Sequence, residues 1–404
     1  MRIFRTLVKV LAGMALLVVA AIALLLGSLW LDHARAISLP APTGHFPVGR
    51  TTYVWSDPSQ TDPMAPSPGA QRELLAWIWY PAEVPAAPQE ADYLPIAWRT
   101  ALERQTGPFL TNFLSRKLSR VQAHSFLDAQ VSPQQRTYPV VIMRAGNAAL
   151  TTDYTTLAED LASHGYVVAG FDAPYRSFIT VFPDGRTIAR APRNNAELLS
   201  GEQQIALGDR LVNAWSADMR FALDRLAALN LSDPASRFQG RLDMERVGVF
   251  GHSLGGATAL QFCHEDPRCK AGIDVDGAPL GSVVAEGVKQ PFLFLLSDHS
   301  GEPANESGPV MAHIRSIYGH LPVGRRMEVT IRGANHYMFA DSAFLKAPLL
   351  MSLAHAAGVM RLAPRRQVAL TERLIDSFFD VYLNGAPASE FEGALHSPEI
   401  DVLP

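Results

Sequence analysis

The stretch Arg246-Val247-Gly248-Val249-Phe250-Gly251-His252-Ser253-Leu254-Gly255-Gly256 governs how the rest of the chain is read. An apolar, strand-like run enters Ser253, and Ala257 to His264 reads as an Ala- and Leu-rich helix leaving it. The centre is G-x-S-x-G, with Gly251 and Gly255 two residues to either side of the serine. A serine on a tight strand-to-helix turn projects its hydroxyl above the sheet, and the flanking glycines let the chain turn without a clashing Cβ. The helix that follows points its unpaired N–H groups at the same place and favours negative charge there. The five-residue pattern alone recurs by chance. A strand running in and a helix running out make Ser253 a candidate nucleophile, against the plainer reading of a serine in a structural turn.

Outward from this elbow the chain alternates. Tyr138 to Met143, Tyr166 to Phe171, Ala271 to Val275, Phe292 to Leu296 and Met327 to Ile331 are short apolar runs that predict strands. Between and after them, Thr155 to His164, Ile205 to Asn230 and Val368 to Tyr382 carry helical spacing, and Gly165 stands where a helix stops. Fully apolar strands alternating with helices predict an α/β domain: a mostly parallel sheet with helices on both faces. Arg50 to Trp55 and Glu73 to Tyr80 are further strand candidates, separated by a turn-rich stretch from Asp57 to Gly69. Residues 81–139 are less regular, with a helical patch around Ala97 to Val121, and read as a cap or lid region. No internal repeat is evident, so residues 50–404 are expected to form one catalytic domain.

A serine nucleophile needs a base and an acid. Of twelve histidines, His336 follows the last predicted strand in Arg332-Gly333-Ala334-Asn335-His336. Loops at the carboxyl ends of parallel strands share one edge, so this loop reaches the elbow. His252, adjacent to the serine, cannot turn back on it and reads as packing or hydrogen-bonding support. His264, His299, His313 and His320 lack a comparable strand-end context. Two acids end strands, Asp276 and Asp298, and the residues alone leave both open. Asp274 alternates with Asp276 and should face the other side of its strand. No histidine or carboxylate cluster beside the pair supports a metal there, so no metal and no cofactor is expected.

Several segments together resemble the platelet-activating-factor acetylhydrolases of the α/β-hydrolase superfamily. They are Trp79-Tyr80-Pro81, Asp160-Leu161-Ala162-Ser163-His164-Gly165, the elbow itself, Ala271 to Ser297 with Asp276 followed by Pro279-Leu280-Gly281, and Arg332 to Asp341. The likeness spans roughly Arg72 to Tyr382. It implies an α/β-hydrolase fold, a Ser253–His336–Asp276 triad with Asp298 as the alternative acid, and hydrolysis of short-chain or oxidised acyl esters, on phospholipids or small molecules. A peptidase, an acyltransferase or a polyester or aryl-ester hydrolase would use the same triad, and an inactive binding domain is the remote alternative. The sequence departs from the family at the oxyanion loop, where Met143-Arg144-Ala145-Gly146-Asn147-Ala148 replaces a His-Gly-Leu-like stretch. Leu254, following the nucleophile, is expected to supply one backbone donor, and Asn147 or its neighbour Ala148 the other.

Composition bounds the partners. The chain has 404 residues, 48% hydrophobic and 18% charged, with formal net charge -4. It fills a core, is not disordered, and has no basic field for nucleic acid. Much of the apolarity is local: Val10 to Leu31 carries no charge, follows Arg2, Arg5 and Lys9, and is long enough to cross a bilayer. Residues 1–36 therefore read as a signal anchor that places the rest outside the cytoplasm, in the periplasm or beyond the cell. The alternative is a signal peptide cleaved near Ala34-Arg35-Ala36, giving a secreted protein. Residues 37–49 read as a proline-rich linker. Only Cys263 and Cys269 are present, which excludes a four-thiolate site; in an exported domain they are expected to form one local disulfide rather than remain reduced.

Overall fold

The computed structural model describes residues 2–107, 115–147, 149–301, 304–321, 326–346, 348–358 and 360–403. Its strands are β1 (Ile37–Ser38), β2 (Val48–Thr61), β3 (Gln71–Pro81), β4 (Glu90–Asp92), β5 (Val121–Leu127), β6 (Tyr138–Arg144) and β7 (Val167–Asp172). There follow β8 (Ile179–Val181), β9 (Thr187–Ala189), β10 (Leu242–His252), β11 (Cys269–Val275), β12 (Phe292–Leu296), β13 (Arg326–Ile331) and β14 (Ile400–Leu403). Among the described residues one sheet runs β1-β5-β2-β3-β7-β6-β10-β11-β12-β13-β14, with β4 paired on β5. From β7 to β13 every neighbouring pair is parallel. β3 joins β7 and β14 joins β13 in the antiparallel sense.

The strands are apolar throughout because both faces are covered. Val141, Met143, Phe250 and Ile273 pack on one side with Leu157, Leu161, Leu374 and Phe378. These last four belong to the helices Thr155–Ser163 and Pro364–Tyr382. Val140, Ile142, Val249 and Phe294 face the other side. They meet Met219 and Leu226 of the helix Gly201–Leu231, Leu260 of Leu254–Glu265 and Ile314 of Ala304–His320. Each such large side chain contributes on the order of 2 kcal/mol by leaving water. The expected parallel sheet with helices on both faces is therefore the architecture found.

Four expectations need correction. The Asp57 to Gly69 stretch is not all loop: β2 continues to Thr61, with an irregularity between Asp57 and Thr61 that absorbs the turn-forming residues. Of the helical patch expected around Ala97 to Val121, Ile96–Thr106 is a helix, ended by Gly107 at φ +82°, and residues 108–114 lie outside the described residues. Val121 opens β5, whose inward and outward positions alternate, and which pairs with β1 and β2. The region read as a cap thus builds one edge of the main sheet. Residues 37–49 are not a free linker either, since Leu39 and Phe46 are buried and β1 pairs with β5. The edge strand β14 was not expected.

The helix Arg2–Ala34 precedes the domain. By length and composition it is able to cross a membrane, and its most apolar window is not buried by the rest of the chain. Its last carbonyls are met by the domain: the Arg116 guanidinium donates to Asp32 O at 3.1 Å and the Lys117 N–H to His33 O at 3.0 Å. These supply partners that a helix end lacks on its own.

Candidate active site

Ser253 sits between β10 and the helix Leu254–Glu265 at φ 56° and ψ -128°, a backbone conformation that costs energy for a residue with a Cβ. The turn is held by its N–H donating to Val275 O at 2.9 Å and its carbonyl accepting from Gly256 N at 2.8 Å. Glycine is required beside it. A Cβ on Gly251 would lie 2.2 Å from Gly255 O, and one on Gly255 would lie 2.3 Å from Arg144 O. The first turn of the elbow helix therefore packs directly on the backbone that leaves β6. That contact brings Leu254, whose N–H opens the helix without an intrahelical partner, beside the 145–147 loop.

Asp276 directly follows β11, also at positive φ (56°), with its N–H donating to Leu295 O at 2.8 Å. One carboxylate oxygen, Oδ2, lies 2.7 Å from His336 Nδ1. The other, Oδ1, accepts from Ser297 N at 2.8 Å and lies 2.8 Å from His299 Nε2. Burial works to push this carboxyl up, but the hydrogen bonds and charges of His299 and His336 outweigh it and hold it well below the usual carboxylate range. Asp276 is thus an anion poised on His336 Nδ1, which leaves Nε2 as the basic atom of that ring.

Asp298 does not meet His336. Its Oδ2 accepts from Gly333 N at 2.7 Å, and its own N–H donates to Ala334 O at 3.1 Å, so it shapes the loop that carries the histidine. Asp274 faces away, as alternation requires: its Oδ1 accepts from Gly277 N at 2.8 Å, and burial raises its carboxyl well above the usual range.

Two participants escaped the sequence reading. His299 was set aside for lack of strand-end context, yet the 3-10 turn His299–Gly301 directly after β12 returns its ring to Asp276. Its position three residues beyond a strand in this sheet was the available signal. Tyr154 carried none. Its hydroxyl lies 2.7 Å from His252 Nδ1 and accepts from Gly146 N at 3.3 Å. His252 Nε2 lies 2.9 Å from His336 O, an acceptor, so Nε2 carries the proton and Nδ1 accepts from Tyr154. Burial, reinforced by charge on His336, pushes His252 down to about 3, which keeps this ring neutral. The supporting role expected of His252 takes this concrete form: a one-way chain from Gly146 N–H through Tyr154 and His252 to the backbone of His336.

Asn147 is held by the salt-bridged pair Arg190 and Glu197: its carbonyl accepts from Arg190 Nη1 at 3.3 Å and its side-chain amide donates to Glu197 Oε1 at 3.4 Å. Ala148 lies outside the described residues. Cys263 and Cys269 are joined as a disulfide, with Cα atoms 5.1 Å apart, linking the elbow helix to the start of β11.

A serine elbow, an acid and a histidine in that chain order at the carboxyl edge of a mostly parallel sheet define the class: this is an α/β-hydrolase. A solved ferulic acid esterase from Streptomyces cinnamoneus overlays 92% of this chain and all of its own at TM-score 0.70 and 28% identity. The model of the family "Platelet-activating factor acetylhydrolase, isoform II" matches residues 33–383, and the chain belongs to that family. The platelet-activating factor acetylhydrolase of Canis lupus familiaris is 28% identical over 224 residues, 51% of this chain and 49% of that protein, so the match spans about half the relative's length. That of Cavia porcellus is 24% identical over 346 residues, 80% of this chain and 75% of its own. Cutinase 2 of Thermobifida cellulosilytica is 27% identical over 239 residues, 58% of this chain and 74% of its own.

Proposed function

We propose that the chain is a serine carboxylic-ester hydrolase, with Ser253 as nucleophile, His336 as base and Asp276 as the acid that orients it. The observation that carries this reading is the 2.7 Å contact of Asp276 Oδ2 with His336 Nδ1 beside the Ser253 elbow. His336 Nε2 takes the Ser253 proton as Oγ attacks the ester carbonyl, and Asp276 stabilises the imidazolium that forms. Backbone N–H groups of Leu254 and Asn147 face the developing oxyanion, and His336 returns the proton to the leaving alcohol. Water then enters where the alcohol left and releases the acid by the same steps in reverse.

The relatives are an acetylhydrolase, a cutinase and a ferulic acid esterase by name, which supports esters as the substrate class, and the acetylhydrolase supports a short acyl group within it. The apolar helix Arg2–Ala34, preceded by basic residues, supports an anchored enzyme with its catalytic domain on the exported side, close to lipid-borne esters. The test is hydrolysis of p-nitrophenyl esters of graded chain length by the full chain in detergent. Activity should fall as the acyl chain lengthens and should vanish in Ser253→Ala. Asp276→Asn should lose about 10⁴-fold in kcat, while Asp298→Asn keeps most of it. Equal rates for wild type and Ser253→Ala would sink the reading.

A further inference from the structure

The motif Asp160-Leu161-Ala162-Ser163-His164 has no part in ester chemistry, and the structure places it against the C-terminal helix. Asp160, in the last turn of Thr155–Ser163, and His164, which caps that helix, are four residues apart and so share one face. Asp376 of the helix Pro364–Tyr382 approaches from the other side, with its Oδ2 3.7 Å from His164 Nε2. One donor atom from each of the three residues lies within 4.8 Å of the other two. Both acids are deeply buried, at 1% exposure for Asp160 and 7% for Asp376. Asp160 Oδ2 and Asp376 Oδ1 meet no N–H or hydroxyl donor although each atom is out of water, and the two carboxyls face each other. An orphaned carboxylate oxygen in that position is costly, and here two such acids from separate helices lie beside one imidazole.

We propose that Asp160, His164 and Asp376 form a structural site for a divalent cation of the zinc type. Two carboxylates and one neutral imidazole are a zinc donor set, and a tetrahedral ion with bonds of about 2.1 Å holds its ligands about 3.4 Å apart, near the 3.7 Å separation found. Thr43 completes the surround: its hydroxyl lies 2.9 Å from His164 Nε2, and its N–H donates to Asp160 Oδ1 at 2.6 Å. Beside it, Gly44 N donates to Ser163 Oγ at 2.8 Å. The ion would therefore fasten three things at one point: the helix after β6, the C-terminal helix, and the segment that follows the N-terminal apolar helix.

The experiment uses the full chain in detergent, stripped with a chelator and then titrated with Zn²⁺. The expected result is one zinc per chain by elemental analysis and a rise in melting temperature on the order of 5 °C. Residues 37–49 should become protected from protease at the same zinc concentration. His164→Gln, a change at a part-exposed position that the fold tolerates, should abolish the zinc-dependent rise and the bound metal while ester hydrolysis at low temperature is kept. Asp376→Asn should do the same. The proposal is overturned if stripped protein binds no zinc and does not shift. It is equally overturned if Asp376→Asn, without metal, is as stable as wild type, because the two carboxyls would then be sharing a proton. Neither result bears on the esterase reading, whose test is Ser253→Ala.

Discussion

At the scale of single residues, the site depends on which atom holds each proton. Asp276 offers one oxygen to His336 and the other to Ser297 N–H and His299, so its carboxylate has little freedom to rotate away. His252 is neutral and protonated on Nε2, and this fixes the direction of every bond from Gly146 to His336. Tyr154→Phe removes both the donor to His252 Nδ1 and the acceptor for Gly146 N–H, loosening the oxyanion loop and the histidine loop together. We expect kcat to fall about 10-fold, roughly 1.4 kcal/mol in the barrier, with KM largely unchanged. A lowered melting temperature with kcat intact would reduce Tyr154 to a packing residue. The elbow serine and His336 were legible in sequence because each has a local signature, a glycine frame and a strand end. Tyr154 and His299 were not, because hydrogen bonds across 98 and 23 residues leave no local pattern.

At the scale of elements, the elbow works because a strand, a helix and the loop after β6 meet at van der Waals distance. Gly255→Ala tests that meeting. The added Cβ would sit 2.3 Å from Arg144 O and 2.6 Å from Ala145 O, both backbone atoms with no easy escape. The overpacking should cost about 1–3 kcal/mol and displace the 145–147 loop. Melting should drop by several degrees, and hydrolysis well below that temperature should fall further than the folded fraction accounts for. A variant with unchanged melting and full rate would show that the helix and loop do not bear on each other. Strands such as β10 to β13 were readable because two buried faces demand unbroken apolar runs. β5 was not read as a strand beyond Val121, the last residue of the helical patch, because its partly exposed positions serve the flank of the sheet rather than its centre. Four-residue β14 offers too little pattern to find, and its place is set by pairing with β13.

At the scale of the whole molecule, buried acids cluster between the helix after β6 and the C-terminal helix. Burial, aided by Asp160 and Asp341, pushes Glu372 up to about 9, against an unfolded value near 4.5. Between those values the folded state holds a proton that the unfolded state has released, so stability falls as pH rises. In metal-stripped protein the melting temperature should therefore decline from pH 5 to pH 8. Glu372→Gln should flatten that decline, and an unaltered slope in the variant would show that Glu372 is not its source. The sequence determines by itself the layered α/β fold, the apolar N-terminal helix, the elbow and the histidine after the last parallel strand, because all of these follow from periodicities and turn chemistry within a dozen residues. Only the tertiary structure decided that Asp276 and not Asp298 faces His336, that His299 shares that carboxylate, that residues 37–49 are packed, and that Asp160, His164 and Asp376 converge. The reason is physical: each depends on where a side chain ends after the sheet has twisted and the loops have closed, and no local preference encodes that position.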